Sequence, residues 1–117
     1  MGVHFDWNEE FQQYLNALNP IDRAKLRAAI KRIEETGIQE AIKKQRVKKL
    51  RDNLYEIRAR TKENTIRSIY FQIQGEAYFI THGFNKKTDK TPKKEIMKGI
   101  RLRAIFFKGG SEYERNE

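Results

Sequence analysis

No cysteine occurs among the 117 residues, so neither a disulfide framework nor thiolate zinc ligation holds this fold, and a cysteine nucleophile is excluded. Proline appears only twice, as Pro20 and Pro92, and neither a low-complexity linker nor an internal repeat divides the chain. Long apolar runs are also missing, and the mean hydropathy is −0.89, which predicts no membrane span and no membrane partner. The N-terminus reaches polar Asp6, Asn8, Glu9 and Glu10 at once, without the basic start and apolar stretch of a signal peptide. A cytoplasmic chain is expected, folded by packing alone as one domain over residues 1–117, with about 109–117 as a flexible tail.

What is abundant is positive charge, and it is unevenly placed. Of the formal +9, residues 41–60 carry eight basic against two acidic groups, and residues 86–108 carry nine against two. The rest of the chain is slightly acidic. Two cationic segments on a near-neutral scaffold form the electrostatic footprint of a partner rich in phosphate, although an acidic protein or an anionic membrane surface would also suit them.

Hydrophobic spacing divides the chain into two kinds of element. After a short strand at Val3 to Phe5, Phe11, Leu15 and Leu18 recur at helical spacing until Asn19-Pro20 stops the run. A second helix is expected from an N-cap at Asp22 to Gly37, with Leu26, Ala29, Ile30 and Ile33 on one face. From Asn53 the period becomes two, giving a three-strand meander through Leu54–Arg60, Thr65–Ile73 and Ala77–Phe84. A C-terminal helix follows, with Thr91 as N-cap, Pro92 at its first position, and Ile96, Ile100, Ala104 and Phe107 on one face. The fold class is α+β: an N-terminal helical hairpin packed on a small antiparallel sheet, joined by the N-terminal strand and closed by the C-terminal helix.

Turn lengths set the register of the meander. A four-residue turn at Thr61–Asn64 places Arg58 directly across from Arg67, and a two-residue turn at Gln74-Gly75 places Arg67 across from His82. Like charges directly opposed destabilise a sheet, whereas an anion between the guanidinium groups reverses that effect. Tyr55, Ile57, Ile66, Tyr70 and Phe79 fall on the other face and suit the helical hairpin, so the cationic face is expected to be free. On that footing, loss of Arg67 relieves repulsion and leaves the fold nearly intact.

The stretch Leu54-Tyr55-Glu56-Ile57-Arg58, then Arg67 to Tyr70-Phe71, then His82-Gly83-Phe84-Asn85-Lys86-Lys87-Thr88 with Thr91-Pro92, resembles the RelE/ParE superfamily of bacterial toxins, and in particular its phage-associated HigB-like branch. The resemblance runs from about residue 5 to 108. It implies a RelE-like fold, a toxin neutralised by a cognate antitoxin of the helix-turn-helix DNA-binding type, and messenger RNA on the ribosome as substrate, cut without metal or cofactor. Members of the ParE branch act on DNA gyrase instead, and a non-catalytic RNA-binding module is a third reading. The basic strand residues of RelE-like toxins correspond here to Arg58 and Arg67, and the basic group after the last strand to Lys86 or Lys87. Glu56 stands where RelE itself has a lysine, and no counterpart of RelE's C-terminal tyrosine is evident.

Metal-free RNA cleavage needs a base for the 2′-OH, donors for the phosphorane charge and a proton for the departing 5′-oxygen. Arg58 and Arg67 suit the charge, His82 the base, and Lys86 and Lys87 the flanking phosphates or the leaving oxygen. Lys43, Lys44, Arg46, Lys48, Lys49 and Arg60 are expected to attract the RNA backbone, and Phe84 to offer a stacking face.

Overall fold

The computed structural model describes residues 2–87 and 89–109. The expected flexible tail therefore lies, apart from Gly109, outside the described residues, as does Thr88. In chain order the elements are β1 (His4–Trp7), α1 (Glu9–Ala17), α2 (Pro20–Thr36), α3 (Ile38–Lys43), β2 (Val47–Arg51), β3 (Leu54–Arg60), β4 (Thr65–Gln74), β5 (Ala77–Asn85) and α4 (Lys93–Lys108). The α+β class, the N-terminal helical pair and the meander stand as expected. Among the described residues no helix is long and apolar enough to cross a membrane.

Short polar side chains set the helix starts. Asn8 caps α1 by accepting from the Phe11 amide, with Glu9 and Glu10 in the first turn where the helix dipole favours them. Asn19, not Asp22, caps α2: its Oδ1 accepts from the Asp22 amide at 2.8 Å, and Pro20 takes the first turn. Asp22 is instead a buried acceptor for Asn64 Nδ2 at 2.7 Å, which ties the β3–β4 turn to α2. Gly37 ends α2 at φ 94°, as only glycine does readily.

The sheet has five strands in the order β1-β5-β4-β3-β2, with β1 parallel to β5 and the other pairs antiparallel. β2 was hidden in the sequence by its charge, because Lys48, Lys49 and Arg51 leave only Val47 and Leu50 as apolar markers. It is an edge strand, and lysines on such an edge disfavour pairing with another chain. Its turn to β3 places Asn53 at φ 48°, where its side chain clips the neighbouring β4: Nδ2 donates to Gln72 O and Oδ1 accepts from Gln72 N.

Both faces of the sheet are covered. Phe5, Phe11, Leu15, Leu26, Ile33, Ile57, Ile66 and Tyr70 form the main core between the sheet and α1 and α2. On the opposite face α4 lays Ile96 against Leu54 and Ile69, and Phe106 against Phe71 and Phe79. The face expected to be free is thus roofed by α4, and residues 65–71 of β4 are buried on both sides. Phe107, expected on this face, also lies 5.3 Å from the Phe71 ring, although it is half exposed. Pro92, not Thr91, is the N-cap of α4, which therefore starts one residue later than expected, and the Thr91 hydroxyl is used elsewhere.

Gly83 sits where α1 crosses β5. A Cβ there would lie 2.3 Å from Tyr14 Cε2, so the flat ring rests on bare backbone, and the Tyr14 hydroxyl hydrogen-bonds Asn85. Gly83→Ala is expected to cost about 1–3 kcal/mol through this overlap. Urea unfolding of the Gly83→Ala, Tyr14→Ala and double variants checks it: the double variant should lose less than the two losses added, and strict additivity would refute the contact.

Candidate active site

Arg58 and Arg67 are opposed across β3 and β4, as the first turn implies. The second turn is one residue later, at Gly75-Glu76, and two bulges follow, between Gln72 and Gln74 and between Ile69 and Tyr70. Arg67 therefore faces Phe84, and His82 faces Ile69. The bulges also send Phe79 to the α4 side and Tyr78 to the main core. The three-member row is corrected to an arginine pair with a phenylalanine beside it.

The pair is held by a carboxylate. Glu56 precedes Arg58 by two residues on the same strand face, and it is fully buried. Its Oε1 accepts from Arg58 Nε at 2.7 Å, its Oε2 accepts from the Thr91 hydroxyl at 2.9 Å, and Arg67 Nη1 lies 3.7 Å from Oε2. Arg67 has no exposed surface, whereas the Arg58 side chain is 15% exposed. Burial lowers the pKa of Arg67, and Glu56 opposes that shift. Arg58 Nη2 donates to the Asp89 carbonyl at 2.6 Å, and Arg60 Nη2 to Asp89 Oδ1 at 3.1 Å. Asp89 and Thr91 together strap the chain before α4 over the arginines. A residue expected to be dispensable for folding is thus enclosed with its counter-charge.

His82 is equally committed. Its ring is buried, with Nδ1 2.8 Å from the Thr81 hydroxyl and Nε2 3.1 Å from Glu95 Oε1 on α4. Burial holds its pKa below the ordinary 6.5, with Lys98 adding to the effect and Glu95 opposing it. The neutral ring donates from Nε2 to Glu95, while the Thr81 hydroxyl has one proton to share between Nδ1 and the Ile69 carbonyl, 3.1 Å away. Phe84 is half-buried, 6.0 Å from the His82 ring and packed beside Leu54 and Ile69, so only part of its ring is left exposed.

The remaining expected residues lie around this cluster. Lys86 and Lys87 are exposed after β5, beside Asn64, Thr65 and Asn85. Lys44, Arg46, Lys48, Lys49, Arg58 and Arg60 line one cleft of about 950 Å³; Lys43 is exposed outside it. The opposite wall is α2, which brings Lys25 and Arg32. Sequence reasoning did not mark these two, although their i, i+7 spacing around Ala28 and Ala29 puts them on one side of a helix.

Residues 13–104 match the family model described as "Phage derived protein Gp49-like (DUF891)". The chain belongs to this Gp49-like family. Among solved structures, the free state of an arginine-substituted mutant of the E. coli toxin RelE is similar, with 20% identity and a TM-score of 0.52. That match covers 71% of this chain and 82% of RelE, and it shows that the Gp49-like chain has the RelE fold. No curated protein matches the chain.

Two stability measurements check the site. Glu56→Ala strips the counter-charge from buried guanidinium and is expected to cost about 3–5 kcal/mol; a loss under about 1 kcal/mol in urea unfolding would contradict the arrangement. Because the folded pKa of His82 is depressed, its contribution is present above pH 6.5 and is lost as pH falls below it. Relative to His82→Gln, the parental chain should lose up to about 1.4 kcal/mol per pH unit in that range. Parallel curves would show that His82 does not titrate differently on folding.

Proposed function

We propose that this Gp49-like chain is the toxin of a toxin–antitoxin pair and a metal-independent endoribonuclease that cuts messenger RNA on the ribosome in the cytoplasm. The observation that carries the reading is the opposed Arg58–Arg67 pair, whose outer member opens into a cleft lined by cations. Family membership and the RelE fold support it.

In this reading the 2′-oxygen forms a bond to phosphorus, the bond from phosphorus to the 5′-oxygen breaks, and a cyclic phosphate remains. The proton of the 2′-OH leaves to a base, and the 5′-oxygen takes one up. Arg58 meets the non-bridging oxygens, since it has the accessible guanidinium, and Arg67 stands behind it to fix its place through Glu56. Lys86 and Lys87 hold the flanking phosphate and protonate the leaving oxygen. In this reading His82, buried with its Nε2 on Glu95, anchors α4 and takes no part in proton transfer. The antitoxin, of the helix-turn-helix DNA-binding type, is acidic where it covers these cations.

Expression without the antitoxin should arrest translation and leave cuts in ribosome-engaged messenger RNA by primer extension, with DNA supercoiling unchanged. Arg58→Ala should lower single-turnover cleavage on programmed ribosomes by about 10² to 10³. Intact transcripts with gyrase-linked DNA breaks would replace this reading with a gyrase-directed one.

A further inference from the structure

The cleft between α2 and the β2 edge joins two walls that are distant in sequence. Eight of its lining side chains are basic and none is acidic. Arg58, Arg60 and Lys44 have carboxylate partners in Glu56, Asp89 and Glu40. Lys25, Arg32, Arg46, Lys48 and Lys49 have no ion pair among the described residues. Convergence of five uncompensated cations on one concavity costs folding energy through repulsion, and nothing in the packing returns it. The apolar lining is small, Ala28, Ala29, Val47 and Ala59, apart from the partly exposed Ile42. No aromatic side chain lines the cleft, so it holds no platform on which bases would stack.

We propose that this cleft binds the sugar–phosphate backbone of a single-stranded RNA, independently of base sequence, with Lys25 and Arg32 of α2 as direct phosphate contacts across from the cationic β2 edge. Charge complementarity selects the ligand: a polyanion relieves repulsion at every cation it passes, while the small apolar lining gives a protein partner no deep pocket to anchor in. Arg58 is among the residues that line the cleft, so a strand lying in it passes beside the arginine pair. The proposal rests on the nuclease reading only for that last step; binding in the cleft stands apart from cleavage.

The test is fluorescence anisotropy of the full chain with a uniformly 2′-O-methylated 20-nucleotide RNA, which binds without being cut, across a salt series. The Lys25→Ala/Arg32→Ala variant should bind at least tenfold more weakly, with the slope of log affinity against log salt reduced by about 1.4, two contacts at roughly 0.7 each. Arg27→Ala/Lys31→Ala, on the same helix but outside the cleft, should bind like the parental chain. Equal weakening by the two double variants would overturn the proposal in favour of general attraction. Unchanged RNA affinity of Lys25→Ala/Arg32→Ala, with loss of binding to an acidic peptide, would overturn it in favour of a protein-docking groove. Cleft-dependent binding without any cleavage of unblocked RNA on ribosomes would uphold the cleft and remove the nuclease reading.

Discussion

A guanidinium group buried in the middle of a sheet must bring its counter-charge with it, and the rest of the structure is arranged around that requirement. An isolated charge in the protein interior costs far more than a domain's net stability. Arg67 is tolerated at the centre of β4 because Glu56 stands beside it, and Glu56 in turn holds Arg58. The second oxygen of Glu56 takes the Thr91 hydroxyl, and Arg58 takes the Asp89 carbonyl. These bonds fix the segment that leads into α4, so the position of the roof helix follows from the same cluster.

The α4 layer is divided accordingly. Near its N-terminus it meets the sheet through ions and hydrogen bonds, at Glu56, Thr91, His82 and Glu95. Further along it is apolar, through Ile96 on Leu54 and Ile69 and then Phe106 among Phe71 and Phe79. Apolar burial needs no exact partner, whereas the ionic end is worth its desolvation only while every member is satisfied. The main core on the other face is built mostly of apolar side chains, and it supplies the stability against which the polar end can be held.

Local rules made much of this legible. Helical spacing found α1, α2 and α4, alternation found β3 to β5, and a four-residue turn fixed the Arg58–Arg67 pairing, because each depends on residues close in sequence. The position of Gly83 in the quoted motif also became intelligible only in three dimensions, as the floor under Tyr14. What stayed hidden depends on long-range packing. The turn one residue later than expected moves His82 away from Arg67, two bulges of opposite sense displace the stretch between them, Phe79 included, and no residue type in that strand announces them. β2 carries the charge of an exposed edge and so lacks the apolar alternation that marks a strand. The face of the arginine pair looked solvent-directed because guanidinium groups are seldom buried. Glu56 was read as a departure from a family pattern, when it is the residue that permits the burial.

This origin of the site has a consequence for what can engage it. In the resting chain Arg58 is already neutralised by Glu56 and bonded to Asp89, through contacts made without any loss of translational freedom. A free monoanion competing for that guanidinium must displace intramolecular partners and bear the full entropy of association. A polymer does not face the same balance. Once its neighbouring phosphates are held by the unpaired cations of the α2–β2 cleft, the phosphate that reaches Arg58 arrives at the effective concentration of a tethered group. Five cations outside the cluster and a carboxylate inside it therefore work in the same direction: the proposed site discriminates by ligand length, rejecting small anions with Glu56 and Asp89 while admitting a strand that the cleft has already bound.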